Sequence, residues 1–109
     1  MKINELVKEA HENAKNHGWW DYPKTFGELI ALIHSEVSEA LEEYRNSKLP
    51  AETYYNGNDK PEGIPSEMAD IVIRVFDLCG YYEIDLESAI KEKMEYNKSR
   101  PYKHGGKKI

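Results

Sequence analysis

Residues 25–45, TFGELIALIHSEVSEALEEYR, and residues 65–80, PSEMADIVIRVFDLCG, decide the fold of this chain. In each stretch apolar residues return every three or four positions, which is the spacing of an α-helix that packs one face against a core. The first stretch opens with a capping box, in which Thr25 and Glu28 each satisfy a free backbone N–H. The second begins at a proline and ends at Gly80, a residue type suited to terminating a helix. We therefore predict two long helices, the second of them central.

Two shorter helices are expected to flank this pair. Helical periodicity predicts one from about residue 4 to residue 16 and another, capped by Asp85, from about residue 86 to residue 99. Residues 46–63 are rich in Pro, Gly, Asn and Asp and predict a long surface loop, which is functional or mobile more often than incidental. The fold class expected is all-α, a four-helix bundle forming a single domain over residues 1–109. Residues 101–109 are expected to be a flexible basic tail.

Composition restricts the class of protein. A chain of 109 residues has room for one domain with one core. It has neither an apolar run of the roughly 18 to 20 residues that span a bilayer nor the apolar core of a signal peptide, so we expect a cytoplasmic protein without membrane contact. The net charge of −5 disfavours binding to nucleic acid. The single cysteine, Cys79, is expected to be a small core residue.

Acidic side chains occur where the core should be. The core face expected for the first stretch comprises Leu29, Ile30, Ile33, Val37, Ala40, Leu41 and Tyr44. At 100° per residue, Glu36 falls between Leu29 and Leu32, inside the arc that should face the core, and Glu39 lies beside Leu32 at the edge of that arc. The second stretch carries a narrow polar stripe on an otherwise apolar cylinder: Glu67, Asp70, Arg74 and Asp77. The paired spacing i, i+3 directs two carboxylates to one side of each helix.

These carboxylates indicate a metal site. A buried, unpaired carboxylate costs several kcal/mol, so such groups pair, become protonated or bind a cation. Arg74 is the only basic residue on the second stretch, which is too few to pair with all the acids. One such acid pair alone is usually a solvated helix face, but two on neighbouring helices favour Mg²⁺ or Mn²⁺. A di-iron bundle is excluded, because no histidine follows a Glu by three positions.

The same residues resemble the signature of a known family, the MazG-like, all-α nucleoside triphosphate pyrophosphohydrolases. The family's motifs are ExxE(E) on one helix, ExxD on the next, and Lys-x-x-x-Asn-x-x-Arg on the closing helix. The matching text is Glu36-Val-Ser-Glu39-Ala-Leu-Glu42-Glu43, Glu67-Met-Ala-Asp70, and the triplet Lys93, Asn97 and Arg100. The resemblance spans about Phe26 to Arg100. It implies a Mg²⁺-dependent enzyme that hydrolyses ribo- or deoxyribonucleoside triphosphates to the monophosphate and pyrophosphate.

The resemblance implies a role for each matching residue. The expected ligands of one or more Mg²⁺ ions, with Mn²⁺ as a substitute, are Glu36, Glu39, Glu67 and Asp70. Glu39 is also expected among the catalytic residues together with Glu43, which faces the site better than Glu42 as a base for the attacking water. The residues expected to reach the substrate phosphates are Lys93, Asn97 and Arg100. On its own, a basic face near a helix C-terminus also fits a structural role.

Two aromatic residues lie in the connector before the acidic helix. Trp19 and Trp20 are candidates for stacking on the nucleobase, because aromatic faces stack on any base. The alternative is that one of them packs over the end of the bundle as core. The family precedent also implies a homo-oligomer, a dimer or a dimer of dimers, with the active site completed across the interface.

Two other functions stay open at this point. The bundle would serve as a non-catalytic binding or regulatory module if its acids were remnants of a lost site. It would also suit a metal-dependent hydrolase of another nucleotide-like pyrophosphate. The preferred base and sugar, the number of metal ions and the physiological role do not follow from the residues.

Overall fold

A computed structural model describes residues 2–101 of the chain. The elements, in chain order, are α1 (Ile3–Asn16), α2 (Phe26–Arg45), β1 (Tyr54–Tyr55), β2 (Pro61–Glu62), α3 (Ile64–Tyr81) and α4 (Leu86–Ser99). The helices hold about two thirds of the described residues, which confirms the all-α prediction. The predicted basic tail lies outside the described residues except for Pro101. Within the described part, no helix has the combination of length and apolar character that crossing a membrane requires.

The Thr25 and Asp85 side chains cap α2 and α4 as predicted, whereas the Glu28 half of the capping box is not formed among the described residues. The Thr25 hydroxyl accepts a hydrogen bond of 3.1 Å from the backbone N–H of Glu28 at the start of α2. Asp85 accepts a bond of 3.2 Å from the backbone N–H of Ser88 at the start of α4. Each cap satisfies a donor that the first helical turn leaves free, and so fixes where the helix begins.

The predicted long loop contains a small antiparallel hairpin, in which Tyr54 pairs with Glu62 and Tyr55 with Pro61. Gly63 joins the hairpin to α3 with a φ of +107°, and a Cβ there would lie 2.5 Å from the Glu52 carbonyl oxygen. Only glycine tolerates both the positive φ and this close approach. The hairpin is thereby held close to the first turn of α3.

The core lies where α1 and α2 pack on α3, the predicted central helix. Its buried apolar residues are Val7, Leu29, Leu78 and Cys79, so the prediction that Cys79 is a core residue is confirmed. Helix α4 packs mainly against α1. The side chain of Asn4 joins them through a hydrogen bond of 2.9 Å from its Nδ2 to Asp85 Oδ1.

The prediction for the core face of α2 is wrong for four of its seven residues. Leu29 and Ala40 are buried, but Ile30, Val37, Leu41 and Tyr44 are 37%, 49%, 57% and 62% exposed. These four lie 60° to 120° around the helix from Leu29, beyond the arc that α3 covers. No described element packs over them, because α4 packs on α1 instead. They form an exposed apolar strip along α2.

Candidate metal centre

The acidic cluster forms where α2 and α3 pack side by side and antiparallel. Glu36, Glu67 and Asp70 each offer a carboxylate oxygen, and these three oxygens all lie within 4.8 Å of one another. Mg²⁺ binds carboxylate oxygens at about 2.1 Å, so oxygens on opposite sides of the ion are about 4.2 Å apart. Small side-chain rotations would therefore let the three oxygens bind one cation.

Glu36 is the buried member of this trio, and Arg74 holds it. The Arg74 Nε donates a hydrogen bond of 2.7 Å to Glu36 Oε1. Burial acts to raise the pKa of Glu36, but the hydrogen bond and positive charge of Arg74 outweigh it and lower the pKa overall. Glu36 is therefore ionised and already oriented at the base of the cluster.

Glu67 is in the opposite situation. Its Oε2 is buried and has no hydrogen-bond partner among the residues the structure describes. Burial, followed by the negative charges of Glu39, Asp70 and Glu36, raises the pKa of Glu67 to about 7. A buried oxygen without a partner is costly, so a cation at this point would stabilise the ionised form.

Glu39 and Asp70 complete the group of four acids. Glu39 is exposed and lies outside the tight trio, but a hydrogen bond with Glu36, and then the charge of Glu36, raise its pKa. Partial burial, and then the charge of Glu36, raise the pKa of Asp70, although that residue as a whole is exposed. The structure thus brings together all four predicted metal ligands and leaves them short of positive charge.

Glu43 lies one helical turn beyond Glu39, at the wall of a second cavity of about 320 Å³. The Tyr54 hydroxyl lies 3.0 Å from Glu43 Oε1 and 3.1 Å from Oε2, so it donates to either oxygen. This bond is the main cause that raises the pKa of Tyr54. Residue types in the loop gave no signal for this contact, which depends on how the hairpin folds back over α2.

The two tryptophans occupy different surroundings. The Trp20 ring stacks on Tyr81 with centroids 4.0 Å apart and an angle of 5° between the planes, and its Nε1 donates a bond of 2.9 Å to Asp77. Trp20 is therefore packed into the protein as part of its core, and the prediction that it stacks on the base is not favoured. Trp19 instead lines a cavity of about 310 Å³ beside Glu36 and Asp70.

The predicted phosphate-binding triplet lies apart from the acids. Lys93, Asn97 and Arg100 are exposed, as is every residue from 91 to 100. Within residues 2–101 the triplet makes no hydrogen bond or ion pair with the acidic cluster. The second half of α4 instead projects beyond the part that packs on α1. One copy of the chain thus assembles the acids but does not bring the cationic triplet to them.

The arrangement has the chemistry of a site for a hard cation next to a cavity with an aromatic wall. Oxygen ligands suit Mg²⁺ or Mn²⁺. The adjoining cavity, with Trp19 and Arg74 in its walls, suits a flat, anionic ligand. No protein-family model, curated protein or solved structure matches the chain in comparisons with known proteins. The resemblance to the MazG-like family therefore stays a prediction that rests on the residues and their geometry.

Proposed function

We propose that this chain is a MazG-like, Mg²⁺-dependent nucleoside triphosphate pyrophosphohydrolase of the cytoplasm. It hydrolyses ribo- or deoxyribonucleoside triphosphates to the monophosphate and pyrophosphate. The observation that carries the proposal is the convergence of Glu36, Glu67 and Asp70, with one buried oxygen of Glu67 left without a protein partner. A cation would stabilise the ionised form of such a group, and a cation held by carboxylates serves phosphoryl chemistry.

The charge balance of the cluster supports a divalent cation. The four carboxylates at the α2–α3 contact have Arg74 as their close cationic partner, and Arg74 pairs with Glu36 alone. The other three carboxylates are Glu39, Glu67 and Asp70. Their pKa values are all raised, largely by neighbouring negative charges or by burial. Mg²⁺, or Mn²⁺ in its place, would relieve that repulsion, with Glu36, Glu39, Glu67 and Asp70 as its ligands.

When bound, Mg²⁺ would neutralise triphosphate oxygens and lower the pKa of a water molecule. The chain's own residues would do the rest. Glu43 would accept a proton from the attacking water, and the Tyr54 hydroxyl holds its carboxylate in place. Attack at the α-phosphorus, with pyrophosphate as leaving group, is what the family resemblance implies.

The substrate would extend from the acids into the cavity lined by Trp19. A volume of about 310 Å³ falls at the lower end of the range for small-molecule sites. The Arg74 guanidinium carbon lies 4.9 Å from the centroid of the Trp19 ring, and the Lys24 Nζ lies 4.3 Å from it. When the substrate binds, the Lys24 side chain would leave the ring to meet a phosphate or ribose oxygen, and the base would stack on the face of Trp19 that it uncovers.

The proposed active form is a homodimer. The exposed strip of α2, formed by Ile30, Val37, Leu41 and Tyr44, lies outside the arc of the helix that packs on α3. Met68 and Val72 on α3 are further apolar residues with about 45% of each exposed. Exposed apolar surface of this kind marks an interface, and self-pairing of identical strips is the commonest symmetric solution.

The shape of one chain also favours pairing. Its radius of gyration is 16.6 Å, whereas about 13 Å is expected for a compact domain of this length. The second half of α4 and the Arg100 that follows it agree with this open shape, because every residue from 91 to 100 is exposed. In the dimer, Lys93, Asn97 and Arg100 would reach the phosphates bound at the partner's acidic cluster.

The test is a product analysis with a panel of ribo- and deoxyribonucleoside triphosphates and Mg²⁺. We expect monophosphate and pyrophosphate, and loss of activity in EDTA. Glu39→Gln and Asp70→Asn should lower kcat by about a thousandfold or more, since each removes a ligand charge that the reaction needs. Glu9→Gln, at an exposed position of α1, is the matched control and should leave kcat unchanged.

Other products would contradict the proposal in distinguishable ways. If the products were nucleoside diphosphate and inorganic phosphate, the enzyme would cleave at the γ-phosphorus and not at the α-phosphorus. Turnover of only other nucleotide pyrophosphates would indicate the alternative hydrolase. No turnover, together with a melting temperature that rises with Mg²⁺, would indicate a binding module that retains its cation site.

A further inference from the structure

The cavity beside the acidic cluster contains polar groups that the hydrolysis itself does not use. It lies between α1, α2 and α3, and Asp77 and Asn13 line it together with Trp19. Asp77 belongs to the polar stripe of α3 that also carries Asp70, two helical turns away. Neither Asp77 nor Asn13 is one of the proposed metal ligands.

Asp77 is buried and held in a fixed position. It is 8% exposed, and its Oδ1 accepts the hydrogen bond from Trp20 Nε1 at 2.9 Å. The same Oδ1 lies 2.8 Å from the Nδ1 of His11. The stacking of Trp20 on Tyr81 fixes that donor in turn. Both contacts use one oxygen, so the orientation of the carboxylate is determined by protein groups.

The second oxygen of Asp77 is the one available to a ligand. Oδ2 has no hydrogen-bond partner among residues 2–101, and Asp77 lines the cavity. A carboxylate oxygen accepts hydrogen bonds only, so its complement is an N–H or O–H group. The Asn13 side chain lines the same cavity and also makes no hydrogen bond within the described part of the chain. It offers both a donor and an acceptor.

A fixed acceptor near an aromatic wall suits a flat ring that carries an N–H group at its edge. Cytosine and adenine present an exocyclic amino donor with a ring nitrogen acceptor beside it, whereas a pyrimidine with an exocyclic carbonyl presents an acceptor there. A carbonyl placed against Asp77 would leave two acceptors facing each other without a proton. An unpaired polar group lowers the affinity for the wrong base more than a small difference in the size of the base does.

We propose that Asp77 and Asn13 read the edge of the nucleobase and select triphosphates whose base carries an exocyclic amino group. The inference rests on the proposed function, because it names the substrate class of the same site. In this arrangement Asp77 accepts from the amino group, Asn13 donates to the adjacent ring nitrogen, and Trp19 covers the face of the base. Trp20 is a positioning residue that acts through Asp77.

The test compares substrates that differ at the amino position. In the pairs CTP and UTP, and ATP and ITP, an amino group in the first is replaced by a carbonyl in the second. We expect kcat/KM to be at least about tenfold higher for the amino member of each pair. The ratio is measured within one protein preparation, so losses of folded enzyme cancel.

Asp77→Asn is the informative variant. An asparagine carbonyl there still accepts from Trp20, while its amide group becomes a donor directed at the cavity. The amino-over-carbonyl ratio should then fall to about one or below. Asn13→Ala, at an exposed position that the core does not need, should reduce the ratio severalfold without loss of fold. Asp59→Asn, the same change in the exposed loop, is the control and should preserve the ratio.

The outcomes distinguish a failure of base selection by Asp77 and Asn13 from a failure of the proposed triphosphate hydrolysis. Equal kcat/KM within both pairs, or a ratio that Asp77→Asn and Asn13→Ala leave unchanged, would overturn the base-reading role while hydrolysis stands. If the unmodified protein hydrolyses none of the four triphosphates, the proposed function fails, and the inference fails with it.

Discussion

The acidic cluster on α2 and α3 and the cationic triplet on α4 differ in charge and, more importantly, in surroundings. Each acid has neighbours within the chain: Glu36 is bound by Arg74, and Glu67 faces the other carboxylates. The triplet, formed by Lys93, Asn97 and Arg100, lies on a helix segment in which every residue is exposed. One region is assembled by folding alone, and the other is displayed at the surface.

This difference indicates which part of the proposed site belongs to one chain and which part needs two. Lys93 and Asn97 share the face of α4 that packs on α1 at the beginning of the helix, and Arg100 is the residue that follows the last turn. The beginning of this face packs on α1, whereas the part that carries the triplet is exposed. The exposed part is therefore accessible to a second chain. The apolar strip on α2 is a further unpartnered surface of the same chain. A dimer would cover the strip and provide the partner for the triplet.

Among the changes that test this comparison between the two regions, replacing a residue of the triplet should have the largest effect on activity. Arg100→Ala removes a phosphate contact, so we expect kcat/KM to fall by about 100- to 1000-fold with little change in stability, since the residue is exposed. Lys98→Ala, on the same turn of α4 but outside the face, is the control. Steady-state kinetics and urea denaturation on both variants would separate a lost contact from a lost fold.

A mixing experiment tests whether the triplet acts across the dimer. Arg100→Ala and Asp70→Asn should each be inactive, but a mixture that exchanges subunits should regain about a quarter of the original activity. Half of the dimers would then be mixed, and each mixed dimer would hold one intact site of two. A mixture that exchanges subunits yet stays inactive would mean that the triplet serves its own chain's site.

A charge on the apolar strip should break the pairing itself. Leu41→Glu would force an unpaired carboxylate into the interface, so the dimer dissociation constant should rise about a hundredfold or more. Light scattering should show a folded monomer with reduced activity. Ala31→Glu, on the solvent side of α2, is the matched control and should remain dimeric. If Leu41→Glu remained dimeric and active, the strip would not be the interface.

Most of the helical framework was predictable from sequence, because its signals are local. The caps at Thr25 and Asp85 form as expected, and i, i+3 spacing on two antiparallel helices suffices to bring Glu36, Glu67 and Asp70 together. A helical wheel gives the apolar side of α2 but not what covers it. It therefore assigned residues such as Leu41 to a core that one chain does not provide.

The parts that the sequence did not predict depend on contacts between distant segments. Trp19 and Trp20 are adjacent and chemically identical, and only the position of Asp77, 57 residues beyond Trp20, separates a packed ring from one at a cavity wall. Two-residue strands have too little pattern to be recognised, so the contact of Tyr54 with Glu43 was not predicted. The projection of α4 likewise follows from which helix it packs against.

The smallest effect expected concerns stability and tests whether the acids need a cation. Burial, and then the neighbouring acids, raise the pKa of Glu67 to about 7 from an ordinary value of 4.5. The folded state then holds this proton more tightly than the unfolded state. The contribution to stability is complete below pH 4.5 and is lost as the pH rises through 7. Glu36 has a lowered pKa and therefore stabilises the folded state at higher pH. Its contribution to stability is lost only as the pH falls below 4.5, outside the range compared here.

Metal-free protein should therefore be less stable at pH 8 than at pH 5.5, and Mg²⁺ should restore stability more strongly at the higher pH, since the cation replaces the proton. Glu67→Gln removes the buried charge, so in EDTA at pH 8 it should be more stable than the unmodified protein by about 1 to 2 kcal/mol and should gain less from Mg²⁺. Glu9→Gln should show neither change. Urea denaturation at both pH values, with EDTA or Mg²⁺, measures this. If the stability of the metal-free protein did not fall between pH 5.5 and 8, the ionised Glu67 carboxylate would be stable without a cation. The buried Glu67 oxygen would then no longer support a metal centre.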